Sequence, residues 1–149
     1  MRERKFSFVV LVTVLALVFG AFSGSVVSVF ADSKPDLELI VKVNEKGFFD
    51  EKDKLLGPKN PLKVPKGAIV KVVFVFDEGV KSLAIGDVHQ IAITADDSWT
   101  VESDKIWFFN GKSKVTFVAG ENGRTQYRGY CIIDCIGMDH LNNLVIHVV

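Results

Sequence analysis

The chain has 149 residues, 48% hydrophobic and 24% charged, with 18 basic and 18 acidic side chains in balance. That length allows one domain with a proper core. The neutral balance leaves no electrostatic footprint for nucleic acid, which excludes that class of partner.

Residues 1–5, Met-Arg-Glu-Arg-Lys, form a basic start, and from Phe6 to Ala31 there is no charge. Val29-Phe30-Ala31 offers small residues where a signal peptidase cuts, and Asp32 would open the mature chain. The uncharged run also exceeds the roughly 20 apolar residues that span a bilayer. Residues 1–31 are therefore expected to be either a signal peptide or an N-terminal membrane anchor helix, with membrane attachment through residues 6–31. In both cases the basic end stays inside and residues 32–149 are exported, to the periplasm or the outer face of the cytoplasmic membrane.

Residues 32–36 form a short linker with Pro35, and Leu37–Val43 is a first strand. Residues 44–60 are expected to be a long charged loop in which Phe48 and Phe49 turn inward. Pro61–Pro65 is extended, because proline and its predecessor avoid the helical region. Lys66-Gly67 is a turn. Ala68–Phe76 is the strongest strand, and its near-continuous apolar character predicts that it is largely buried. After a glycine-containing connection, Val88–Thr94 alternates, which sets His89, Ile91 and Ile93 on one face, at the edge of the core.

Asp96–Asp104, with Trp99, is expected to be a polar loop. Lys105–Phe109 is short and aromatic, Trp107-Phe108-Phe109 is expected in the core, and Asn110-Gly111 marks a turn. Lys114–Ala119 is a strand, Gly120–Gly123 a turn, Arg124–Cys131 a strand and Leu144–Val149 the last strand, with His147 at the surface. No amphipathic helix, internal repeat or low-complexity tract is evident. About seven or eight short strands punctuated by turns predict an all-β, two-sheet antiparallel sandwich.

One stretch carries chemistry. Cys131, Cys135, Met138 and His140 lie together between the last two strands and include both cysteines of the chain. Thiolate, thioether and imidazole form a soft ligand set suited to copper or zinc. Alone, His89 would be a core histidine satisfied by hydrogen bonds; the distant cysteine loop makes it a candidate ligand. In an oxidising compartment two cysteines pair by default. A metal-free sandwich with a Cys131–Cys135 disulfide, acting as a binding or structural module, therefore stands as one reading, although so small a loop removes little chain entropy. No serine–histidine–acid set, phosphate-cradling glycine loop or zinc-protease motif is present.

Val64-Pro65-Lys66-Gly67 before the strong strand, Asp87-Val88-His89 and the Tyr130-Cys131 strand end resemble the cupredoxins, over residues 37–149. The resemblance implies a cupredoxin-like Greek-key β-sandwich. Within that superfamily, two cysteines four apart followed by a histidine resemble the CuA domain of cytochrome c oxidase subunit II and nitrous oxide reductase. This implies two copper ions bridged by Cys131 and Cys135, with His89, His140 and the carbonyl of Ile133 as further ligands. The family separates its second cysteine and histidine by three residues, where this chain has four; taking Ile136 as an insertion restores Gly137-Met138-Asp139-His140.

The family's methionine, three residues after that histidine, is replaced here by Asn143. The axial position thus falls to Met138, to Asn143 or to neither, and Met138 is otherwise a packing residue. Asp87 is expected to orient His89 from behind. The Cys135–His140 spacing also resembles a mononuclear blue-copper (type 1) site, with His89, Cys135 and His140 on one ion and Cys131 a bystander. The resemblance implies electron transfer with a redox partner such as a cytochrome or a terminal oxidase subunit, as one component of an oxidoreductase rather than an enzyme acting alone. An exported copper chaperone is a third alternative. Subunit II has a pair of membrane helices, where this chain has at most one span.

Overall fold

Ile69–Phe76 (β4) is the strand on which the first sheet is built. The computed structural model describes residues 34–44, 46–77, 88–95, 99–107, 110–133 and 139–149, the side chains of 139 and 140 excepted. The expected signal or anchor in residues 1–31 lies outside these, and the described residues belong to one compact unit, Ser33–Val149. Within β4, Val70, Val72 and Phe74 are fully buried while their neighbours are half-buried. The strand is therefore not covered on both faces, as its continuous apolar run suggested; it alternates. Each such buried side chain contributes about 1.5–3 kcal/mol.

Leu37–Asn44 (β1) pairs with β4 in parallel, Lys112–Val118 (β7) pairs with it antiparallel, and Gly47–Phe49 (β2) pairs with β1. The second sheet runs Leu62–Val64 (β3), Leu144–Val148 (β9), Gln126–Cys131 (β8), Ile91–Ala95 (β5) and Trp99–Glu102 (β6). Here β3 and β9 are parallel and the other pairs antiparallel. The inner faces meet through Val41, Val72, Phe74, Val115 and Phe117 from one sheet and Ile91, Ile93, Tyr127, Leu144 and Ile146 from the other. The all-β sandwich is thus as expected, but its sheets are mixed rather than antiparallel. Parallel pairing follows from connections long enough to cross to the other sheet and return.

The described residues form nine strands, because two short ones occupy stretches that read as loops. Phe48, 1% exposed, draws β2 onto the sheet from within the charged 44–60 segment. Trp99 holds β6: its ring meets Tyr127 at 5.4 Å and Phe117 at 5.7 Å between centroids. The Arg124 guanidinium lies 5.4 Å above the same ring. Tyr127 also ties off the β7–β8 connection, its hydroxyl accepting from the Gly120 N–H at 2.9 Å and donating to the Val118 carbonyl at 3.2 Å. Lys105–Trp107 forms no strand. Ile106 alone pairs, with His89, while Trp107 is 42% exposed rather than in the core; residues 108 and 109 lie outside the described set.

Gly129 lets β8 lie close against β9, where it pairs with Leu144. A Cβ at Gly129 would stand 2.7 Å from Leu144 Cδ2 and 3.1 Å from Leu144 Cβ. Leu144 is fully buried and has nowhere to move. Gly129→Ala is therefore expected to destabilise the domain by about 1–3 kcal/mol, read as a lower denaturant midpoint; an unchanged midpoint would show that this approach is slack.

Candidate metal centre

His89 sits two residues before β5 and continues its inward face with Ile91 and Ile93; all three are 0% exposed. Its backbone is clamped by the isolated pairing with Ile106, whose carbonyl accepts the His89 N–H at 2.9 Å and whose N–H donates back at 2.7 Å. Side-on, the imidazole packs against the Phe76 ring at the end of β4, 5.9 Å between centroids. A histidine fixed at its backbone and packed against an aromatic ring has little rotamer freedom. The inward direction read from alternation is the one observed.

Cys131 ends β8, directly opposite Ile91, and the Ile132 N–H donates to the Gln90 carbonyl at 2.8 Å, carrying the ladder one step further. Residues diagonal across such a pair share a face and lie within reach of long side chains. His89 and Cys131 are so related, and Cys131 Sγ lies 3.9 Å from His89 Nδ1. The same sulfur is 3.7 Å from the Ile133 carbonyl oxygen. Cys131 is a free, half-buried thiol. Its burial opposes ionisation, but the His89 imidazole and backbone hydrogen bonds with Gln90 and Ile133 outweigh that and hold the thiol below its ordinary pKa.

The structure therefore brings together three of the sequence-predicted positions: His89, Cys131 and the carbonyl of Ile133. Asp87, Cys135 and Met138 lie outside the described residues, as does the side chain of His140. The backbone of His140 lies in a 3₁₀ turn, Asp139–Asn142, anchored by fully buried Leu141. Asn143 follows it, exposed, and His147 lies on the outer face of the second sheet, at the surface as expected and half-buried there. Among the described residues alone no group of three metal-ligating side chains assembles.

Two contributors were not legible in the sequence: Ile106, whose backbone clamps His89, and Phe76, whose ring flanks it. Ile106 acts through main-chain groups that every residue carries. Phe76 is marked only as the last residue of the strongest strand.

The donors present suit a soft metal ion. Imidazole nitrogen and thiolate bond such ions at about 2.0 and 2.3 Å, judged by zinc, and these lengths together exceed the 3.9 Å between Nδ1 and Sγ. One ion can therefore touch both atoms without either residue moving apart.

No protein-family model matches the chain, and no curated protein matches it. Among solved structures it is similar to auracyanin B, at 12% identity and a TM-score of 0.52, covering 79% of this chain and 92% of that one. It is also similar to a multicopper oxidase, at 8% identity and a TM-score of 0.50, covering 78% of this chain and 45% of that one. A chain of a heme-copper terminal oxidase dimer aligns over 96% of this chain and 94% of that one at 14% identity, but its TM-score of 0.47 is too low to carry weight. At such identities the likeness speaks for the fold: the described residues from Leu37 onward adopt a cupredoxin-like sandwich.

Proposed function

We propose that this is an exported copper protein of CuA type that passes electrons to or from a redox partner such as a cytochrome or a terminal oxidase subunit. The observation that carries the reading is the contact between His89 Nδ1 and Cys131 Sγ at 3.9 Å, at one end of a cupredoxin-like sandwich. His89, Cys131, Cys135 and His140 would hold the metal with the Ile133 carbonyl, and the axial place would go to Met138, to Asn143 or to neither. Bound copper would supply a one-electron couple whose charge spreads over the thiolate sulfurs. The chain supplies the rest. Phe76 and the core exclude water from His89, and the Ile106 clamp and the β5–β8 ladder keep nitrogen and sulfur in place while charge changes.

The mononuclear reading makes Cys131 a bystander. Cys131 is in contact with His89, which gives it a place at the site and supports the binuclear reading. A metal chaperone needs an exposed, labile site, and His89 is 0% exposed.

Copper stoichiometry with optical and electron-spin spectra of the reduced, then copper-loaded protein tests the proposal. Two coppers per chain with a mixed-valence spectrum are expected, falling to one copper or none in Cys131→Ser and to weak binding in His89→Ala. One copper with an intense blue band, retained in Cys131→Ser, would establish the mononuclear site instead, and no copper after full reduction would remove both readings.

The pH dependence has a defined sign. The Cys131 thiol ionises below an ordinary cysteine, so in metal-free Cys135→Ser the pH midpoint of alkylation is expected below that of the same chain unfolded. Copper loading should weaken as pH falls through that midpoint, because the metal then competes with a proton. A midpoint equal to the unfolded one would remove the basis for this.

A further inference from the structure

The outer face of the five-stranded sheet holds a group of polar side chains that the metal centre does not use. The register places Lys63 beside His147, and His147 beside Gln126. Arg128 follows two residues along β8, on the same face, opposite Val145. Where the 139–142 turn runs into β9, a cleft of about 360 Å³ opens, lined by Gln126, Arg128, Asn142 and His147 over an apolar floor that includes Pro58 and Val145.

Two features set this cleft apart from an ordinary solvated face. No carboxylate is among the described residues that line it. The side chains of Gln126, Arg128, Asn142 and His147 make no hydrogen bond or ion pair among the described residues. On the other sheet Lys42 and Lys71 are met by Asp53 and Glu38 at 2.6 and 2.8 Å, whereas Lys112 and Lys114, like Arg128, meet no partner among the described residues. An arginine fork, two amides and an imidazole thus line one concavity, and Lys63 is paired beside His147 on the next strand.

We propose that this cleft binds a small oxyanion, a carboxylate or phosphate group. Arg128 is the anchor, since its planar fork matches two oxygens of such a group. The amides of Gln126 and Asn142 and the ring of His147 supply further donors. The apolar floor selects for a group carried on a short carbon skeleton or small enough to need none.

The test titrates the metal-free full chain with inorganic phosphate and with succinate, each against sodium chloride at equal ionic strength, following backbone amide NMR shifts. Saturable shifts at Arg128, Asn142 and His147 with either anion are expected, and the anion that saturates at lower concentration names the group. Arg128→Gln is expected to weaken binding at least tenfold, while Lys114→Gln, on the other sheet, leaves it unchanged. Arg128 is exposed, so the variant should fold, which its amide spectrum checks; Asn142→Ala, expected to weaken binding severalfold, is the second probe. Shifts that chloride reproduces, or that survive both Arg128→Gln and Asn142→Ala, would overturn the proposal. Because no metal is present, either outcome leaves the copper reading untouched.

Discussion

The structure depends on the register between β5 and β8, continued beyond β5 by the His89–Ile106 pairing. Because side chains alternate along a strand, a slip of one residue in that ladder would send Cys131 to the outer face while His89 stayed inside. The core prevents the slip. Tyr127 lies on the same face of β8 as Cys131 and is fully buried, so it would have to leave the interior for the register to change. The hydrophobic core thus specifies how His89 and Cys131 meet, although it supplies neither side chain.

Burying a histidine costs free energy unless its polar groups are met. Both backbone groups of His89 are satisfied by Ile106, and Nδ1 faces the Cys131 sulfur. The ligand-rich segment that follows is held at both ends, by the Ile132–Gln90 hydrogen bond on one side and by buried Leu141 on the other. The outer face of the five-stranded sheet is chemically separate: its polar residues alternate with the buried ones, so the proposed anion cleft and the candidate metal centre occupy opposite sides of shared strands.

Much of the fold was legible in the sequence, and the misses share a cause. β4, β5, β8 and β9 announce themselves by runs of branched residues or clean alternation. β6 does not, because Trp99–Glu102 is a strand through the packing of Trp99 on Tyr127 and Phe117, which are distant in the chain. Trp107 was expected inside for its aromaticity. The pairing of Ile106 with His89 takes the inward position, and alternation then turns Trp107 outward. The parallel pairs escaped notice because alternation marks a strand's two faces without naming its neighbour.

The sequence by itself determined the all-β class, the inward direction of His89, and the soft donor set of Cys131, Cys135, Met138 and His140. These are local properties, carried by side-chain type and by a period of two. Only the tertiary structure decided that Cys131 meets His89, across 42 residues of chain. It also decided that Phe76 and Ile106 flank that histidine, and that Arg128, Asn142 and His147 share one cleft. Such meetings follow from strand register and sheet order, which the burial of the whole core selects and no short stretch of sequence encodes.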